Sequence, residues 1–131
     1  MKYSKEIFYQ EFIRREDSTN RAPYNPELEF YSIIQNGDIE QVKELCKASP
    51  LKDKKGLGLL SEKPVNNIRY HFVITTALVA RYCIEGGLDV ATAYNLSDFY
   101  IKKSDTMKSV EDISELHAFM CIDYAKKMTK P

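Results

Sequence analysis

The stretch Asn67–Glu85, NIRYHFVITTALVARYCIE, limits the possible folds more than any other part of the chain. From Phe72 to Ile84 it is apolar or small on every side of a helix, interrupted only by Thr75, Thr76 and Arg81. A helix that is hydrophobic all round belongs in an interior. At the usual rise per residue it spans roughly 28 Å, about the width of a small domain. A bilayer span is the rival reading and it fails. The apolar run is too short, and Arg69, His71 and Arg81 would each cost kilocalories in or near hydrocarbon. The stretch is therefore read as a buried central helix over residues 67–85.

The rest of the chain supplies partners for that helix. Asn25-Pro26 starts a helix, with Asn as cap and Pro at the first helical position. Leu28, Phe30, Tyr31, Ile33 and Ile34 form its apolar face, and Asn36-Gly37 ends it. Asp38 caps the next helix, with Gln41 at the capping-box position and Ile39, Val42, Leu45 and Cys46 along the stripe. Leu51–Leu60 is a basic, glycine-containing loop, its end tucked back by Leu57, Leu59 and Leu60, with Lys52, Lys54 and Lys55 read as solvated. Gly86-Gly87 closes the central helix, Asp89 opens the following one, and Ser109 caps the last. That last helix carries Ile113, Leu116, His117, Met120, Cys121, Tyr124 and Met128 at i, i+3, i+4, i+7 spacing. The expectation is an all-α fold, about five helices packed around the central one.

Residues 1–24 read as an N-terminal arm and connector, and 25–131 as the helical core of a single domain. Within the arm, Ile7, Phe8 and Phe12 suit a short helix, while the aromatics equally suit a short strand or extended arm. Asp17–Asn25 is turn-rich, punctuated by Pro23 and Pro26.

The formal net charge is +0, so no global field draws the chain to nucleic acid or to an acidic membrane. The three cysteines, Cys46, Cys83 and Cys121, are odd in number and lie in apolar helical patterns. This suits free thiols in a reducing compartment, and with no apolar leader at MKYSKEIFYQEF the expected location is the cytoplasm.

Arg81 is the sharpest chemical feature, a permanent charge inside an apolar helix. A buried guanidinium needs partners, and Glu85 one turn on or Asp98 on the next helix are the candidates. The functional reading is an Arg81-centred anion pocket, with Tyr94 and His71 completing the candidate ligand-binding set. The structural reading, a locking ion pair, is preferred because buried charges are generally paired. His117 and Cys121 stand one turn apart, as in metal sites, but no second pair has ligand spacing, so no metal or cofactor is expected. With two histidines, no GxSxG and no phosphate-cradling glycine loop, no catalytic set is expected and the chain is read as a non-enzyme.

The words Asn36-Gly37-Asp38, LSEKP (60–64), the Thr-x-x-Leu-Val-Ala-Arg tract ending in Arg81, IEGGL (84–88) and AYNLSDFYI (93–101) occur in a telling order. With PYNPELEF and ELHAFMCIDYAKKM they resemble the helical regulatory domain of AraC-type transcription regulators from Gram-positive bacteria, over about residues 24–128. The resemblance implies a ligand-sensing or dimer-forming domain, with a small-molecule effector and a homodimer as expected partners. That family continues into two helix-turn-helix motifs, whereas this chain stops at Pro131. DNA contact is accordingly expected only through a region outside this chain. The alternative is a helical protein–protein adaptor without a small ligand.

Overall fold

Most helices begin and end where the chain's own stop and start residues stand. In the computed structural model, which describes residues 1–16 and 24–129, they are α1 (Ser4–Glu16), α2 (Tyr24–Gln35), α3 (Ile39–Ala48), α4 (Pro64–Glu85), α5 (Val90–Asp105) and α6 (Val110–Met128). A 3-10 turn, Leu51–Asp53, lies between α3 and α4. No strand occurs among the described residues, so the fold is all-α with a packed helical core.

Three caps form as the sequence predicts. Asp38 accepts from the Gln41 N–H at 3.2 Å, Asp89 from Thr92 at 3.0 Å, and Ser109 from Asp112 at 3.0 Å. At the end of α4, Leu88 N–H reaches Cys83 O and Gly87 N–H reaches Ile84 O, the paired bonds of a Schellman turn, with Gly87 at φ 106°. Pro64 takes the first position of α4, three residues ahead of the predicted start. Asn67 Oδ1 accepts from Leu60 and Ser61 N–H and ties the incoming loop to the helix.

Two further expectations change. The N-terminal segment is a helix rather than a strand or arm, with Glu6 in its first turn and Arg14 and Arg15 in its last, the polarity a helix dipole favours. This makes six α-helices among the described residues instead of five. The connector expected over residues 17–25 lies outside the described residues as far as Pro23, and Tyr24 and Asn25 already belong to α2.

The core has two axes rather than one. α4 packs against α2, α5, α6 and the 3-10 turn, but α6 packs against α2, α3, α4, α5 and the same turn. Phe72, Val79, Ala80 and Cys83 of α4 and Ile113, Met120, Cys121 and Tyr124 of α6 are fully buried. Tyr70, Ile74, Arg81 and Glu85 form an outward stripe of α4, so the central helix is not wrapped on every side. Leu51 and Leu57 anchor the loop before α4, whereas Leu59 and Leu60 are exposed. No described helix is long and apolar enough to cross a membrane.

Polar locks set the angles between helices. Arg69 of α4 donates to Asn66 Oδ1 at 2.7 Å, to Ser104 O at 3.1 Å, and to Met107 O, satisfying carbonyls at the end of α5. Tyr124 of α6 donates to Ala93 O at 2.6 Å, and Tyr100 of α5 to Asp123 Oδ2 at 2.6 Å. The ends of α2, α4 and α6 meet: Gln35 donates to Tyr82 O at 2.7 Å. Gly37, at φ 72°, lies so close to α6 that a Cβ there would sit 3.3 Å from Ala125 O.

Among the described residues one buried side-chain polar atom lacks a partner, the Thr76 hydroxyl in the middle of α4. An unpaired buried hydroxyl carries a desolvation cost that an isosteric methyl removes. Thr76→Val should therefore stabilise the fold by about 1 kcal/mol, a rise of roughly 3–5 °C in Tm by differential scanning calorimetry. A fall in Tm would mean that the hydroxyl does have a partner.

Candidate functional site

An enclosed concavity lies between α2, the loop after the 3-10 turn, and α4. It is a cleft of about 200 Å³, lined among others by Phe30, Tyr31, Lys54, Gly58, His71 and Thr75. A larger groove of about 600 Å³ runs between α4 and α5 past Tyr70, Ile74 and Ile101, but it is more open to solvent. The cleft has the mixed chemistry of a binding site, apolar side chains interspersed with a few polar groups. Its size fits a small occupant.

Each wall is placed by a specific contact. Tyr31 donates to Glu27 Oε1 at 3.2 Å and lies 5.2 Å from the Tyr82 ring, joining α2 to α4. Burial first, and the Glu27 carboxylate second, push the Tyr31 phenol well above its ordinary pKa. Lys54 is not simply solvated: its Nζ lies 5.4 Å from the centre of the Phe30 ring, a cation–π contact on the cleft wall. The backbone of Lys52 donates to Ser114 Oγ at 3.1 Å and clamps the loop onto α6.

His71, a predicted site residue, is buried in this wall, and its Nε2 bonds to Gly58 O. A carbonyl only accepts, so Nε2 carries the proton. Its structural part is to hold the loop that closes the cleft.

The other predicted residues lie elsewhere. Arg81 is exposed; its guanidinium donates to Ala77 O at 3.1 Å and sits 5.5 Å from the centre of the Tyr94 ring. Among the described residues it forms no ion pair with Glu85 or Asp98, because position 81 falls on the outward stripe of α4 where water solvates the charge. Arg81 and Tyr94 do meet, across α4 and α5. His71 lies ten positions earlier, roughly 15 Å along the helix axis. The five residues therefore do not line one pocket.

A second cluster lies behind Phe30. Cys46 of α3 and His117 and Cys121 of α6 are buried with their ligand atoms within 4.8 Å of one another. His117 Nε2 is 3.7 Å from Cys121 Sγ, and the Phe30 ring stacks on the imidazole at 6.2 Å between centres and 13° between planes. The Cys121 thiol as hydrogen-bond donor, and then the Lys54 charge, pull Cys46 below its ordinary value, while burial pushes Cys121 up. Nucleophilic catalysis needs substrate access, and Cys121 is fully buried. Sequence reading placed His117 and Cys121 one turn apart but had no third ligand. Cys46 joins them only because the apolar stripe of α3 faces α6.

No family model, no curated protein and no solved structure matches the chain.

Burial first, and the Lys54 charge second, push the pKa of His117 down to about 4 from its ordinary value of 6.5. Between those values the unfolded chain binds the proton that the folded chain refuses, so the contribution of His117 to stability is complete above pH 6.5 and is lost as pH drops towards 4. The loss reaches at most about 3 kcal/mol. Urea melts in chelator-containing buffer should show a shallower dependence on pH over this window for His117→Gln than for the parent, by nearly one proton. Equal slopes would assign the proton taken up on unfolding to another group.

Proposed function

We propose that this chain is the regulatory domain of a cytoplasmic AraC-type transcription regulator, binding a small polar effector rather than catalysing a reaction. The observation that carries the reading is the double role of Phe30. It lines the cleft on one side and stacks on His117 of α6 on the other. An occupant that displaced Phe30, or drew Lys54 away from its ring, would act directly on α6. The resemblance puts the DNA-binding region after this helix, so α6 is the element through which a signal would leave. Lys54 and Lys55 on the rim favour an effector with an acidic group, and the Tyr31 and Thr75 hydroxyls add polar contacts.

Binding to the folded state raises stability by mass action, by about 2.7 kcal/mol at a hundredfold excess over Kd. A set of small carboxylates and phosphate esters screened by thermal shift should contain at least one that raises Tm by several degrees. Lys54→Met should weaken that ligand at least tenfold while leaving the unliganded Tm within about 2 °C, since a partly exposed lysine contributes little to folding. If no compound shifts Tm, or the variant binds equally well, the cleft is not the effector site.

A second reading, docking of a protein partner or of another copy of the chain, is favoured by α1. Its Ile7, Phe8, Tyr9 and Phe12 are all exposed, between 49% and 66% of their full area. Because α1 contributes no residue to the core, Phe8→Asp with Phe12→Asp should leave Tm unchanged. Sedimentation should then show any dimer of the parent dissociating in the double variant. A parent that sediments as a monomer assigns the face to a different protein, and a dimer that survives the substitutions places the interface elsewhere.

A further inference from the structure

We propose that Cys46, His117 and Cys121 form a binding site for a thiophilic divalent cation, Zn²⁺ in the first instance, that clamps α3 to α6. This stands whether or not the chain regulates transcription.

The geometry is close to what such an ion requires. With Zn–S near 2.3 Å and Zn–N near 2.0 Å, the sulfur–nitrogen edge of a tetrahedral site is about 3.5 Å and the sulfur–sulfur edge about 3.8 Å. The Cys121 Sγ to His117 Nε2 separation is already 3.7 Å. All three ligand atoms lie within 4.8 Å of one another, so closing the remaining edges takes at most about 1.3 Å, within reach of side-chain rotation. His117 and Cys121, one helical turn apart, form a preset pair on α6, and Cys46 approaches from α3.

The chemistry agrees with the geometry. Two thiolates and a neutral imidazole bring two negative charges to a doubly charged cation, so the loaded centre is neutral and suits a buried position where a bare ion would not. Binding releases the two thiol protons to solvent and involves no change in oxidation state. Phe30, stacked on the imidazole, holds the ring in place. Among the described residues no fourth cysteine, histidine or carboxylate joins the group, so these side chains supply three of the four corners. Cys83, also buried, stands outside the cluster and serves as an internal control.

The test uses the full chain, reduced and freed of metal with a chelator, then titrated with Co²⁺ as a spectroscopic substitute for Zn²⁺. Titration is done on the folded protein and again during refolding from urea, because the site is buried. One equivalent should give thiolate-to-cobalt charge transfer in the near ultraviolet and the intense visible bands of a tetrahedral centre. Zn²⁺ should bleach both and raise Tm by several degrees. Cys46→Ala, Cys121→Ala and His117→Gln should each weaken binding at least a hundredfold, whereas Cys83→Ala should bind as the parent does. Circular dichroism identifies any variant that fails to fold, and for that position the serine variant replaces it. Absence of charge transfer in both titrations of the parent overturns the proposal. So does a signal that survives in both cysteine variants of the cluster.

Discussion

The packing of α4 on α6 is the constraint on which the other contacts depend. Both helices bury apolar side chains over most of their length, and α2 and α5 contact both of them. Each fully buried aliphatic or aromatic side chain contributes roughly 1.5–3 kcal/mol relative to exposure, so this seam dominates the favourable side of folding. Once it forms, the positions of the lesser groups follow. The cleft exists because α2 and the loop after the 3-10 turn close over one side of the seam, and the Cys–His cluster exists because α3 covers α6 on another.

Apolar burial does not by itself choose an angle between helices, and here hydrogen bonds add that information. The Arg69 fork fixes the end of α5 to the start of α4, and Tyr124 fixes the start of α5 to α6. The two locks hold α5 from opposite ends, so neither sliding nor rotation of α5 is free. Both are bonds to main-chain carbonyls, which stay in place when surface side chains change.

Helix limits and buried stripes were largely legible in the sequence because they depend on neighbours a few residues away. Asp38, Asp89 and Ser109 cap as their local chemistry requires, and the stripe from Ile113 to Tyr124 is the buried face of α6. The arginines show where local reading stops. Arg81 drew attention through its apolar neighbours, but it shares the outward stripe with Tyr70, Ile74 and Glu85. Arg69 shares the inward face with Thr76, Ala80 and Cys83, at intervals of 7, 11 and 14 residues, and is the arginine that bonds across helices. A helical wheel separates the two, whereas composition does not. The Cys–His cluster and the cation–π contact of Lys54 needed something further, knowledge of which stripe faces which. No local pattern contains that.

The meeting of three helix ends near Gly37 and Gly86 affects the last turn of α6. Terminal turns normally fray and exchange their amide protons within the time of mixing. Here the backbone at Gly37 lies against Ala125, Met128 and Thr129, and Met128 reaches Gly86. The end of α6 is seated in a notch made by two other turns. Its amides should be slowed in exchange well beyond those of an ordinary helix end, and whatever follows α6 is attached to a rigid stem.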